Sequence, residues 1–221
     1  MKELDVEKTG KLGTVVRYKS PFGLVSRQYV VPRDPHTELQ MSRRRDFSKA
    51  RFLWGRLTDE QRFAWCFRAE GLHTRPRLNQ SGPLSGYLLF VKINCNLAAL
   101  GLPMVEDPPG FPRFGANPVG QLAITYIKGE LALRLKVSRI PASDIIVLAS
   151  RPRSAGRSFV DHFTILDVLP EPDRGWSDIT ELYRGKHPVL PPDSRIFIRT
   201  VQQIDGWRDQ PKQTSALVPA P

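Results

Sequence analysis

The chain has 221 residues, of which 40% are hydrophobic and 25% charged, and its formal net charge is +11 at pH 7. This composition is typical of a globular protein and excludes a wholly disordered chain. The longest apolar run, Tyr87–Val91, is too short to cross a bilayer, and residues 2–7 lack the apolar core of a secretory signal. We therefore expect that the protein has no membrane partner and is cytoplasmic at synthesis. If it assembles outside the cell, it leaves by a route that the sequence does not show.

The positive charge is concentrated in the first part of the chain. Residues 1–100 contain 18 Lys and Arg against 9 Asp and Glu, whereas residues 101–221 contain 15 against 13. This asymmetry predicts a β-hairpin with a basic helical module over residues 1–100 and a nearly neutral β module over residues 119–221. Prolines cluster in residues 101–118, which predicts a stiff, extended linker between the two modules.

A β-hairpin is predicted at the start of the chain, because two β-rich runs, residues 10–18 and 24–31, flank a short segment with Pro and Gly. An isolated two-stranded hairpin is only marginally stable in water, so this hairpin needs a partner surface. That surface belongs either to its own domain or to a neighbouring subunit whose open sheet edge the hairpin extends. The residues that we assign to such an assembly contact are Gly10, Lys11, Gly13, Val15, Val16, Tyr18, Val25 and Tyr29.

Three helices are predicted to follow. Asp34-Pro35 has the pattern of an N-cap followed by a first helical residue, and this helix is expected to end near Gly55. Thr58–Gln61 has the form of a capping box for a second helix, so that the two helices form a hairpin that brings Trp54 and Trp65 into one core. After a polar loop over residues 73–85, Ser85 is expected to cap a third helix that Gly101 ends.

The first predicted helix is rich in basic residues, which are Arg43, Arg44, Arg45, Lys49, Arg51 and Arg56. The fixed fork of donors on Arg suits phosphate groups, so this pattern indicates contact with nucleic acid. A solvated helix face, or Arg residues that pair with acids of an adjacent subunit, explains the same pattern. Aromatic residues at helical spacing are expected to be core rather than platforms for bases. They are Phe47, Phe52, Trp54, Phe63, Trp65 and Phe67.

The last hundred residues show short apolar alternations separated by turn signals. These predict strands at Gln121–Ile127, Glu130–Val137, Asp144–Ser150, Phe159–Val168, Ser194–Gln202 and Thr214–Val218. Residues 179–183 are either a further strand or a single helical turn. Six or seven strands at this spacing predict an antiparallel sandwich, and the whole chain is therefore expected to have an α+β fold.

No motif that carries a reaction is present. The four His residues have no partner at metal-ligand spacing, and the chain contains no phosphate-binding glycine loop. Ser158, Asp161 and His162 are the residue types of a hydrolase triad, but this proximity is common in loops. Cys66 and Cys95 are expected to be buried thiols or, alternatively, a disulfide between packed helices. We therefore predict that the protein is not an enzyme and has no catalytic residue, and that it binds no metal, cofactor or small-molecule substrate.

Two resemblances to known protein families support the division of the chain into an N-terminal and a C-terminal module. Leu190–Arg199, followed by Gly206 and residues 214–216, resembles the end of a fibronectin type III domain, where a turn leads into a long strand and a final edge strand. The Tyr that is usual in that strand is absent, and the Trp residues lie at Trp176 and Trp207 rather than in an early strand. The resemblance implies a divergent fibronectin type III-like sandwich over the C-terminal module.

The N-terminal part is similar to an uncharacterised family of bacterial proteins that begin with Gly-Lys-x-Gly-x-Val-Val and continue with Pro-x-Thr-x-x-Gln. Here these residues are Gly10, Lys11, Gly13, Val15 and Val16, then Pro35, Thr37 and Gln40, with Arg44 and Phe47 in the helix that follows. This resemblance implies the same two-module architecture and brings no established activity.

Together these features predict a non-enzymatic structural protein that assembles with copies of itself into a filament, a tube or a phage-like particle. The N-terminal hairpin would make the contacts between subunits. The alternative is a nucleic-acid-binding module that uses the Arg-rich helix over residues 35–56. A third hypothesis is an adhesive β module that binds a protein or a glycan through its loops.

Overall fold

The computed structural model describes residues 9–20, 23–31, 34–74, 82–127 and 129–220. Helices and antiparallel sheets are both present, which confirms the α+β class. Contacts divide the chain between Met41 and Ser42 into two compact units. The predicted hairpin turn at residues 21–22, the middle of the predicted loop at residues 75–81, and residues 1–8 of the predicted N-terminal module lie outside the described residues.

The first unit contains an antiparallel sheet of three strands, where the sequence predicts two. The strands are β1 (Gly10–Leu12), β2 (Val15–Ser20) and β3 (Gly23–Gln28), in the order β1-β2-β3. The run over residues 10–18 is broken because Gly13 has a left-handed φ of +58° and turns the chain back on itself. The predicted single strand is therefore a tight hairpin of its own, and β2 is the central strand.

Helix α1 (Glu38–Arg56) begins later than the sequence predicts. Thr37 rather than Asp34 caps it, because the Gln40 amide donates to Thr37 Oγ1 and the Thr37 amide donates to Gln40 Oε1, both at 3.3 Å. These two bonds form a capping box of the same Thr-x-x-Gln type that starts the next helix. Asp34 instead accepts a hydrogen bond from the His36 amide at 3.1 Å in the turn before α1.

The next two helices match the prediction closely. Helix α2 (Asp59–Ala69) begins with the capping box of Thr58 and Gln61, and the Ser85 side chain caps helix α3 (Gly86–Ala98). Phe90 of α3 joins them to α1, since its ring centroid lies 5.2 Å from that of Trp54 and 5.1 Å from that of Trp65. Both Trp residues therefore lie in one core, as expected.

The Pro-rich segment over residues 101–118 has no regular secondary structure and is held against the helices. Trp65 Nε1 donates to the Glu106 carbonyl at 2.6 Å. The Asn94 side chain bonds both backbone groups of Val105, accepting from its amide at 2.7 Å and donating to its carbonyl at 3.1 Å. The segment is thus anchored at its middle. The division of the chain into a module over residues 1–100, a linker over residues 101–118 and a module over residues 119–221 stays a prediction.

The described residues from Val119 onward contain nine strands and one short helix. The strands are β4 (Val119–Ile127), β5 (Glu130–Val137), β6 (Asp144–Ala149), β7 (Arg153–Ser154), β8 (Thr164–Val168), β9 (Trp176–Asp178), β10 (Ser194–Ile204), β11 (Trp207–Arg208) and β12 (Lys212–Leu217), and the helix is α4 (Thr180–Arg184). The smaller sheet has the order β4-β5-β9; the larger has the order β11-β10-β6-β8, with β7 and β12 also paired to β10.

The two sheets share one hydrophobic core. Leu133 and Leu135 of the smaller sheet are buried in the same cluster as Val147 and Ile196 of the larger one, together with Tyr183 of α4. Residues 180–183 belong to helix α4, so the helical turn is correct and the further strand that the sequence also allowed at residues 179–183 is not formed. Strands β7, β9 and β11 have only two or three residues each. They are too short to show an alternation of apolar and polar residues, so the sequence does not reveal them.

A two-residue turn joins the larger sheet to the helical core. Ile204 pairs with Trp207, and between them Asp205 and Gly206 have positive φ values of +48° and +81°. Asn96 Nδ2 of α3 donates to the Gly206 carbonyl at 2.8 Å. Trp207, 8% exposed, belongs to the helical core rather than to the core between the sheets.

Replacing Gly206 with Ala is expected to destabilise residues 42–221 strongly. A Cβ at this position would lie 2.7 Å from Ile93 Cγ2 and 2.8 Å from the Ile93 carbonyl oxygen, in addition to the left-handed backbone. Gly129→Ala is the matched control, because Gly129 has a similar φ of +84° but no atom within 4 Å of such a Cβ. In urea unfolding we expect a loss of about 1–2 kcal/mol for Gly129→Ala and about 2–5 kcal/mol for Gly206→Ala. Equal losses would contradict the close approach to α3.

Candidate functional site

None of the residues of the N-terminal sheet whose exposure is described, within residues 9–20 and 23–31, is buried. Val15, Val16, Arg17 and Val25 are half-buried, and the others are exposed. The large apolar side chains left exposed are Leu12, Tyr18, Leu24, Tyr29, Val30 and Val31. A sheet with apolar residues and no buried position has no core of its own to stabilise it.

The strand register brings several of the predicted assembly residues onto one face. Lys11 is opposite Val16, and Tyr18 is opposite Val25, so all four lie on the same side of the sheet. Lys11 Nζ lies 3.7 Å from the centre of the Tyr29 ring, and the Arg27 guanidinium lies 5.8 Å from the Tyr18 ring. Of the other predicted residues, Gly10 and Val15 belong to the opposite face and Gly13 to the turn.

Strand β3 forms one edge of this sheet and has no second strand beside it among the described residues. In the described chain, β3 pairs with β2 alone. The Tyr29 amide donates to the Thr14 carbonyl at 2.6 Å, which directs Tyr29 toward β2. Because backbone groups alternate along an antiparallel strand, the amides of Leu24, Ser26 and Gln28 then point away from β2, toward the open edge. This edge can accept another strand.

The exposed face of α1 carries most of the predicted basic residues. Arg44, Arg45, Lys49, Arg51 and Arg56 are exposed, whereas Arg43 is half-buried and lies 3.8 Å from the Asp46 carboxylate. Phe47 and Phe52 stand among these cations, and a shallow depression between them is lined by Ser48, Arg51, Gly55 and Arg56. The structure describes every residue from Arg44 to Arg56. The exposed residues of this stretch include five cations and no acid.

The prediction that the aromatic residues of α1 and α2 are core is wrong for four of the six. Phe47, Phe52, Phe63 and Phe67 keep 46%, 68%, 73% and 65% of their surface exposed. Only a narrow stripe of α1 is covered, with Ala50 buried and Leu53 and Trp54 half-buried. The Trp residues fill the core, and the Phe residues lie on the other sides of the same helices.

The exposed face of α2 has the opposite charge. Its two exposed rings, Phe63 and Phe67, are accompanied by Cys66 and by the acids Asp59, Glu60 and Glu70. No Lys or Arg is among the exposed residues from Asp59 to Glu70, all of which the structure describes; Arg62 is half-buried and lies 3.2 Å from Asp59. The backbone amide of Glu60 and the Thr58 side chain bond its carboxylate and lower its pKa, so this acid is charged at neutral pH.

The β region shows a polar depression between β5 and α4, lined in part by Glu130, Arg134 and Asp178. Arg134 lies 3.7 Å from Asp178, and Arg184 lies 3.6 Å from Glu181, so the charges at this depression largely pair with one another. Among the described residues, no group of three or more His, Cys, Asp and Glu is placed to hold a metal ion. The absence of catalysis stays a prediction.

Comparisons with family models, with curated proteins and with solved structures give no match to this chain. Among the helices of the described ranges, none has the length and apolarity to span a membrane.

The two cysteines differ from the prediction. Cys66 is exposed on α2, Cys95 is half-buried on α3, and both are free thiols. Burial raises the pKa of Cys95, and the nearby Asp46 carboxylate raises it further. The expectation of two buried thiols is wrong for Cys66, because it lies on the exposed side of α2 between Phe63 and Phe67.

We expect a thiol reagent such as DTNB to modify Cys66 well before Cys95 at pH 7–8. The exposed thiol is accessible, whereas burial and the raised pKa leave less thiolate at Cys95. We expect that Cys66→Ser removes the fast phase of the reaction and that Cys95→Ser does not. Loss of the fast phase in Cys95→Ser alone would contradict the structure.

Proposed function

We propose that this protein is a non-enzymatic structural subunit that assembles with copies of itself into a filament, a tube or a phage-like particle. The observation that carries the proposal is the N-terminal sheet, which has an open β3 edge and no buried residue among those whose exposure is described. Edge strands of this kind are templates for pairing with another chain. The sheet gains a core only when a second surface covers it.

The exposed side chains of the sheet support a specific contact rather than a solvated arm. An arm that stays in water does not need Leu24, Tyr29, Val30 and Val31, all of which are large, apolar and exposed. Strand addition supplies backbone hydrogen bonds along the edge, and the alternate side chains then set the partner. A neighbouring subunit fits this requirement because every copy carries the same edge.

We also propose that the two sheets over β4–β12 form a divergent fibronectin type III-like sandwich. The shared core of Leu133, Leu135, Val147 and Ile196 supports this, as does the long strand β10 followed by β12 at its side. In an assembly, this module would be the part that subunits display or use to clamp a neighbour.

Ser26→Pro is expected to abolish assembly and leave a folded monomer. The Ser26 amide points to the open edge, so proline removes an intersubunit donor without removing a bond to β2. Ser26→Ala is the matched control, since it keeps the amide. Light scattering and electron microscopy should show polymers for the wild type and Ser26→Ala only. A wild type that stays monomeric at high concentration, or polymers of Ser26→Pro like those of the wild type, would contradict the proposal.

A second candidate function is nucleic-acid binding by α1. The five exposed cations on this helix, without an acid among the exposed residues around them, favour it, and the rings of Phe47 and Phe52 would offer surfaces on which bases stack. In that case the β module would be a spacer or a dock for a partner.

If α1 binds nucleic acid, replacing Lys49, Arg51 and Arg56 with Gln should weaken binding about equally for different sequences. Three lost phosphate contacts should reduce the slope of log affinity against log salt by about 2 for a single-stranded oligonucleotide. Replacing Lys136, Arg151 and Lys186 with Gln makes the same net-charge change away from α1, because all three residues are exposed in the β region, and so tests whether net charge alone matters. The measurement is fluorescence anisotropy with labelled oligonucleotides. No retention at low ionic strength would remove this candidate.

A further inference from the structure

The helical module carries two exposed aromatic faces of opposite charge. We define the α1 face as the exposed residues Arg44, Arg45, Phe47, Ser48, Lys49, Arg51, Phe52, Gly55 and Arg56. We define the α2 face as the exposed residues Asp59, Glu60, Phe63, Cys66, Phe67 and Glu70. Each face has two exposed Phe rings. The α1 face has five cations and no acid, and the α2 face has three acids and no cation.

We propose that the α1 face of one copy packs against the α2 face of a second copy. This inference rests on the proposed self-assembly and adds a second contact to it, between helices rather than strands. Four exposed rings on two adjacent helices leave apolar surface in water, which a monomer has no reason to maintain. Joining the two faces buries all four rings and places the cations of one copy opposite the acids of the other.

The charges decide which faces meet. Two α1 faces would bring ten cations together. Two α2 faces would bring six acids together, of which each Asp59 already has Arg62 of its own helix 3.2 Å away, so pairing of identical faces is repulsive in both cases and more strongly so for α1. The unlike pairing is attractive at the rim, and the rings at the centre supply the apolar area. Ser48 and Gly55 leave a shallow depression between Phe47 and Phe52, and no atom lies within 4 Å of a Cβ built on Gly55. A ring of the α2 face fits this depression.

Charge reversal tests the contact directly. Replacing Lys49, Arg51 and Arg56 with Glu leaves two cations and three acids on the α1 face, so it should weaken association with the acidic α2 face at least about tenfold in analytical ultracentrifugation. Glu60→Lys with Glu70→Lys leaves two cations and one acid on the α2 face and should weaken association with the basic α1 face in the same way. The five substitutions together give the two faces opposite net charges again and should restore association. Replacing Lys136, Arg151 and Lys186 with Glu makes the same net-charge change as the first set, away from both faces, and should have no such effect.

Cross-linking gives a readout that does not depend on affinity. Ser48→Cys places a thiol in the depression of the α1 face, and Cys66 lies in the α2 face. Mild oxidation should join the introduced thiol of one copy to Cys66 of another, giving a ladder on a non-reducing gel if the contact runs head to tail, or a dimer if it forms twice about a two-fold axis. Adding Cys66→Ser should remove these products. Products that remain without Cys66 would overturn the inference.

The outcomes separate this inference from the proposed function. If Ser26→Pro blocks assembly and charge reversal has no effect, strand pairing stands and the helix contact is wrong. If charge reversal blocks assembly and Ser26→Pro does not, the helix contact stands and edge pairing is wrong. If the α1 variant with Lys49, Arg51 and Arg56 replaced by Glu does not bind oligonucleotides, the five-fold variant does not restore that binding, and association of the protein with itself is unchanged in all variants, the α1 face binds nucleic acid and the inference is overturned.

Discussion

The insertion of the β10–β11 turn into the helical core is the contact on which the second unit depends. Gly206 lies so close to Ile93 of α3 that no side chain fits between them, and the left-handed backbone there suits glycine. Trp207 follows immediately and enters the helical core, where its ring centroid lies 5.0 Å from that of Phe111. A strand of the larger sheet therefore completes the core of the helices. Neither part buries its apolar surface fully without the other.

This dependence explains why the Pro-rich segment is not the only connection between helices and sheets. Glu106 and Val105 bind Trp65 and Asn94 through their backbones, and Phe114 packs against the helical cluster. The segment therefore runs along the helices as part of their cover. The segment and the β10–β11 turn are both attached to the helical core, and residues 42–221 accordingly form one compact unit.

Local patterns in the sequence predicted the elements well, because capping and alternation act over a few residues. Thr58, Ser85 and Gly101 were placed correctly, and β5 was predicted with its bounds. The exposed Phe residues were missed because periodicity shows that residues share a face but does not show how much of the helix its neighbours cover. The role of Gly206 was also missed, since its neighbour Ile93 is more than a hundred residues away in the chain. Asp205-Gly206 between β-forming residues was the available signal for its turn.

The exposed faces of α1 and α2 have one physical origin. A helix hairpin completed on one side by α3 and Trp207 has enough core to fold, so the remaining sides of α1 and α2 are free to carry residues that folding does not need. Large apolar groups on such sides add nothing to monomer stability and favour aggregation unless they meet a defined partner. Opposite charges around the rings on the two helices make that partner selective, because they oppose the pairing of like faces. The backbone groups of an open strand edge supply strong but unselective pairing, since any strand offers the same groups, and at that edge only the alternate side chains add selectivity. An assembly that uses both would take its strength from the edge and its register from the charged helices.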